Sequence, residues 1–89
     1  MPERVLIVED NADLAAGIAY NLEQEGLEVA LAETGEQGLE LVDRWQPSLV
    51  ILDLMLPGID GYEVLRTVRA SGNPVPVRIL TARTGRSTS

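Results

Sequence analysis

Apolar and polar positions follow two different periods along this chain. Val5-Leu6-Ile7-Val8 is an unbroken aliphatic run, which predicts a strand over residues 4–8 covered on both faces. From residue 12 to residue 25 the period becomes helical. Leu14, Ile18 and Leu22 recur every four residues with Ala15 and Ala19 beside them, while Asp13, Asn21 and Glu25 fall off the stripe. Asn11 or Asp10 is suited to cap this helix, and Gly26 to end it. Residues 27–32 alternate more clearly and predict a strand nearer a sheet edge. Thr34 and Gln37 have the spacing of a capping box, opening a helix with Leu39, Leu41, Val42 and Trp45 that stops before Pro47.

The pattern then repeats. Ser48-Leu49-Val50-Ile51-Leu52-Asp53 predicts a third strand, and residues 56–61 a turn in which Asp60 caps a third helix bearing Val64, Leu65 and Val68. Ser71-Gly72-Asn73-Pro74 breaks that helix, and residues 76–81 form a fourth strand. The order βαβαβαβ predicts an α/β fold, a doubly wound parallel sheet with helices on both faces. Right-handed crossovers leave few strand orders open.

Eighty-nine residues make one small domain, with no repeat, low-complexity segment or dividing linker. The longest apolar runs are strand-length, far below a membrane span. Met1-Pro2-Glu3-Arg4 lacks the basic region and apolar core of a signal peptide. With no cysteine to cross-link, the expectation is a cytoplasmic protein with no membrane partner. Fourteen acidic residues against seven basic give a net charge of −7. All seven basic residues are arginine, and only Arg78, Arg83 and Arg86 give a local basic excess. Such a chain is unsuited to direct nucleic-acid binding, which needs clustered cations against phosphate.

The charge matters most at the strand ends. The first strand runs into Glu9-Asp10, the third ends at Asp53 and the fourth at Thr81. Parallel sheets bind ligands beyond the carboxyl ends of their strands. If these strands are neighbours, Asp10, Asp53 and Thr81 meet there. Each residue alone reads as a cap or a β-former; together they read as a site. Clustered carboxylates repel and call for a cation. With neither histidine nor cysteine in the chain, a hard Mg²⁺-type ion fits best. A carboxylate in that setting can hold the ion or attack phosphorus to give an acyl phosphate. The Thr81 hydroxyl can donate a hydrogen bond to a phosphoryl oxygen. A phosphatase-like hydrolase would want a second Asp two residues after the first, and position 55 is Met.

Three stretches together resemble the receiver domain of two-component response regulators. They are Val5 to Asp10, Leu52 to Leu65 (including Asp53-Leu54-Met55-Leu56-Pro57-Gly58-Ile59-Asp60-Gly61) and Pro76 to Arg83. The resemblance implies a flavodoxin-like fold with strand order 2-1-3-4. It implies that Asp53 is the phosphoacceptor, charged by a histidine kinase, in a signalling domain rather than an enzyme. It further implies Mg²⁺ bound by Asp10 and Asp53, by Glu9 mostly through water, and by the Met55 backbone carbonyl. Thr81 becomes the switch hydroxyl, and Met55 and Arg83 tune the lifetime of the phosphorylated state.

Measured against that family, residues 1–83 correspond to a partial receiver, lacking the fourth helix, fifth strand and fifth helix, and 84–89 to a flexible tail. No lysine stands where the family carries one in its active site. The fourth strand should then be an open edge, and Leu14, Ile18 and Leu22 should lose part of their cover. An open edge predicts a homodimer or domain-swapped form. It also raises an alternative function, a non-switching module for dimerisation or protein interaction.

Overall fold

The computed structural model describes residues 3–54, 56 and 58–80. Four strands and three helices alternate: β1 (Arg4–Val8), α1 (Ala12–Gln24), β2 (Glu28–Ala32), α2 (Gly35–Trp45), β3 (Leu49–Asp53), α3 (Gly61–Ala70) and β4 (Val77–Leu80). The strands form one parallel sheet in the order β2-β1-β3-β4. The flavodoxin-like order expected from the sequence is the one observed.

The two faces of the sheet are built differently. Leu6, Val8, Val50 and Leu52 point to one side and pack with Val42 of α2 and with Val64 and Val68 of α3. Val5 and Ile7 point to the other and meet Ala15 and Ala19 of α1. Alanine at those two positions lets α1 lie close to the sheet. Leu14, Ile18 and Leu22, the expected stripe, are only half-buried at its flank. β1 is the middle of this arrangement and is buried from Val5 to Val8, which is why its sequence carries no alternation.

The helix starts are set by side-chain caps. Asn11, not Asp10, caps α1: its Oδ1 accepts from the Leu14 N–H at 3.1 Å. Thr34 Oγ1 accepts from Gln37 N–H at 3.1 Å, and Asp60 Oδ1 from Glu63 N–H at 2.9 Å. Gln37 reaches back as a capping box requires, but its Oε1 accepts from the Glu33 N–H, one residue before the cap. At the other end of α2, Gln46 adopts a left-handed conformation (φ 53°) that stops the helix and turns the chain toward β3.

A clasp at the amino end of the sheet joins β1 to the start of β3. Arg4 N–H donates to Ser48 Oγ at 3.1 Å, Ser48 N–H donates to Arg4 O at 2.8 Å, and the Arg4 guanidinium donates to the Trp45 carbonyl at 2.7 Å. The same guanidinium stands 5.5 Å from the centre of the Trp45 ring. These bonds hold the β1–β3 register in which Val8 faces Leu52. One residue further on, Glu9 and Asp53 therefore come side by side. Thr81, the fourth strand's expected last residue, lies outside the described residues, as do Met55, Arg83 and the expected tail 84–89.

Gly17 in α1 is exposed, and a Cβ added there meets nothing within 4 Å. Gly17→Ala is therefore expected to stabilise the fold by about 0.5–1 kcal/mol through helix propensity alone. Urea unfolding with an unchanged m value and a raised midpoint checks this.

Candidate metal and phosphoacceptor site

The carboxyl end of the sheet gathers Glu9, Asp10 and Asp53. One carboxylate oxygen from each lies within 4.8 Å of the others. The three differ in depth. Glu9 is 2% exposed and Asp53 3%, whereas Asp10 is on the surface. Each position follows from its element. The Glu9 N–H extends the β1–β2 ladder by donating to the Ala32 carbonyl at 2.9 Å. Asp53 closes β3, with Leu80 of β4 as its register partner on the other side. Asp10 stands in the turn between β1 and the Asn11 cap.

Glu9 carries the clearest electrostatic signature. Its Oε2 accepts from the Asn11 N–H at 2.8 Å, but its Oε1 is buried without a hydrogen-bond partner. A buried carboxylate oxygen with no donor is costly. Burial raises the Glu9 pKa most strongly; the Asn11 N–H opposes the rise, and the nearby Asp53 and Asp10 carboxylates reinforce it, leaving a value of about 7. An orphaned, buried oxygen facing two more carboxylates is a donor set for a hard divalent cation. All-oxygen ligation of this kind suits Mg²⁺ or Ca²⁺ and is unsuited to metals that prefer sulfur or imidazole. The residues present fit the ion expected from the sequence.

A profile of the response regulator receiver domain matches residues 5–89. The chain belongs to this receiver family. It is 44% identical over 84 residues to the DNA-binding response regulator MtrA of Mycobacterium leprae, matching 94% of this chain and 37% of that protein. It is 43% identical over 83 residues to the transcriptional regulatory protein AfsQ1 of Streptomyces coelicolor, matching 93% of this chain and 36% of that one. The chain thus spans just over a third of the length of these curated relatives. Among solved structures, the N-terminal domain of a response regulator receiver protein from Methanoculleus marisnigri superposes with a TM-score of 0.86 at 32% identity, covering 90% of this chain and 67% of that one. The BeF3-activated receiver domain of RstA from Klebsiella pneumoniae superposes with a TM-score of 0.80 at 32% identity, covering 85% and 64%. The receiver is therefore a signalling module of two-component response regulators by family. Among the described residues no helix is long and apolar enough to cross a membrane.

Of the site residues expected from the sequence, the structure brings Glu9, Asp10 and Asp53 together. Thr81 and Met55 lie outside the described residues. The depth of Glu9 was not legible in the residue pattern itself, which sets Glu9 and Asp10 side by side without saying which is buried. The only signal was its place directly after a fully buried strand. Gly61 stands in the sequence as part of a turn and of the motif that carries the resemblance; its approach to the Asp53 backbone appears only in the structure.

Because the folded-state pKa of Glu9 lies above its unfolded value, the neutral form is favoured by folding. Its contribution is fully present below the unfolded carboxylate range and is lost as the pH rises through about 7. In metal-free buffer the receiver is expected to lose stability between roughly pH 4.5 and pH 8, by on the order of a few kcal/mol. Glu9→Gln should flatten this dependence, and Asp53→Asn should raise the metal-free melting temperature at pH 8. Thermal unfolding across the pH range checks both, and a wild-type curve no steeper than that of Glu9→Gln would contradict the assignment.

Proposed function

We propose that this receiver takes a phosphoryl group from a histidine kinase onto the Asp53 carboxylate, in the presence of Mg²⁺. The single observation that carries the proposal is the convergence of Asp53 with Glu9 and Asp10, the Glu9 Oε1 being buried without a partner. Glu9, Asp10 and Asp53 would hold the ion, with the Met55 carbonyl as a further ligand. When bound, Mg²⁺ neutralises the carboxylates and the phosphoryl oxygens, so that two anionic partners can approach.

The protein's part is positioning. An Asp53 oxygen attacks phosphorus, forming the acyl phosphate O–P bond as the P–N bond of a phosphohistidine breaks; the leaving imidazole keeps the electron pair and takes up a proton. Asp53 is held at the end of a central strand, and its burial keeps bulk water from the acyl phosphate. Thr81 would then donate its hydroxyl hydrogen bond to a phosphoryl oxygen. In this reading the domain is a cytoplasmic phosphoprotein switch rather than an enzyme acting on a separate substrate. With a net charge of −7, this segment is not itself a nucleic-acid surface.

Incubation with Mg²⁺ and acetyl phosphate is expected to add the mass of one phosphoryl group to the wild type and nothing to Asp53→Asn. Intact mass spectrometry reads the outcome. Beryllofluoride with Mg²⁺ should shift the amide signals around residues 9, 10 and 53, and no Asp53-dependent change in either experiment would sink the proposal.

One observation favours a second, compatible reading as a self-associating module. Among the described residues β4 pairs only with β3, and Ile79 on it is 37% exposed. An edge strand that exposes an apolar side chain invites a second copy. Sedimentation velocity over a wide concentration range should show a reversible monomer–dimer equilibrium, and a compact monomer throughout would dismiss this reading.

A further inference from the structure

α3 begins at Gly61, and this residue lies directly on the segment that carries Asp53. The Gly61 N–H donates to the Leu54 carbonyl at 3.2 Å. A Cβ built on Gly61 would stand 2.7 Å from the Asp53 carbonyl oxygen, 2.7 Å from Leu54 Cα and 3.0 Å from Leu54 Cδ2. Two of these three atoms are backbone and cannot rotate away.

Conformation does not explain the glycine. The described glycines with positive φ are Gly26, Gly58 and Gly72, so Gly61 has a backbone that any L residue can adopt. Alanine is also the better helix former. What glycine supplies at position 61 is space. Any side chain there forces the first turn of α3 and the Asp53–Leu54 backbone apart by roughly half an ångström or more, comparable with the tolerance of about 0.5 Å within which a ligand constellation must be held.

We propose that Gly61 is a positioning residue for the phosphoacceptor. Its bare Cα lets α3 press on the Asp53–Leu54 backbone, and this contact sets where the Asp53 carboxylate stands relative to Glu9 and Asp10. The inference rests on the reading of Asp53 as acceptor and of the cluster as a cation site. Two other glycines supply the contrast. A Cβ on Gly35 would meet Ile59 Cγ1 at 2.6 Å and Val64 Cγ2 at 2.8 Å, which are side-chain atoms and not the backbone that carries Asp53. A Cβ on Gly17 meets nothing within 4 Å. The three positions thus grade from the backbone of the site, to neighbouring side chains, to open solvent.

The test compares wild type, Gly61→Ala, Gly35→Ala and Gly17→Ala in the 89-residue chain. NMR follows the Asp53 carboxyl carbon and the Leu54 amide without Mg²⁺, and a Mg²⁺ titration then gives the affinity. Gly61→Ala should move both Asp53 and Leu54 signals and weaken Mg²⁺ binding about tenfold, as loss of an outer support for a metal ligand does. Gly35→Ala should lower the melting temperature while leaving the Asp53 signal and the affinity alone, and Gly17→Ala should raise the melting temperature slightly and likewise leave the Asp53 signal and the affinity alone. Unmoved Asp53 and Leu54 signals, or wild-type affinity in Gly61→Ala, overturns the proposal. So does an equal loss of affinity in Gly35→Ala, which would mark a general packing effect. If Gly61→Ala is too unstable to titrate, the same comparison is made for all four proteins in concentrated sucrose, which favours the compact state. A wild type that ignores Mg²⁺ refutes the cation site, and the Mg²⁺-free spectra still decide whether Gly61 places Asp53.

Discussion

Repulsion among Glu9, Asp10 and Asp53 is the constraint around which the upper end of this sheet is organised. Three carboxylates with oxygens inside 4.8 Å of one another cannot all carry charge in a partly dehydrated setting without a counter-charge. The burden falls on Glu9, which is buried and has one oxygen without a donor. Burial, reinforced by the neighbouring carboxylates, raises its pKa to about 7, so that it gives up its proton only as the pH passes neutrality.

The rest of the fold supplies the rigidity to maintain that repulsion. The clasp of Arg4, Ser48 and Trp45 holds β1 and β3 at one end, and the ladder between Val5–Val8 and Leu49–Leu52 transmits the register to the other. Had the register slipped by one residue, Glu9 and Asp53 would no longer be adjacent, and every apolar side chain of the strand would change face. Close approach does the same at the helix ends. Gly38 lets α2 lie against Val8, immediately before Glu9, and Gly61 lets α3 lie against Asp53. Absent side chains thus shape the site as much as present ones.

The two faces of the sheet are unequally covered among the described residues. α2 and α3 share one face, while α1 alone packs on the other, leaving Leu49 and Ile51 half-buried. Elements with fewer buried contacts open locally at lower free energy than those with more.

Much of this was written in the order of residues. Hydrophobic period alone separated strands from helices, since burial on two faces, one face or a stripe requires different spacings. The caps Thr34 and Asp60 followed from short side chains able to accept a backbone N–H, whereas the choice of Asn11 over Asp10 at α1 was left to the structure. The trio Glu9, Asp10 and Asp53 followed from acidic residues at the ends of apolar runs, and the receiver family from the resemblance of three longer stretches. The remainder depended on distances through space, which no periodicity encodes. Only the tertiary structure decided that Glu9 is deep and Asp10 exposed, that Ala15 and Ala19 rather than Leu14 and Ile18 face the sheet most closely, and that Gly61 touches the Asp53 backbone. The physical reason is common to all three. A side chain's type states what it can do, but its depth, its orphaned oxygen or its lack of room exists only once remote segments have packed against it.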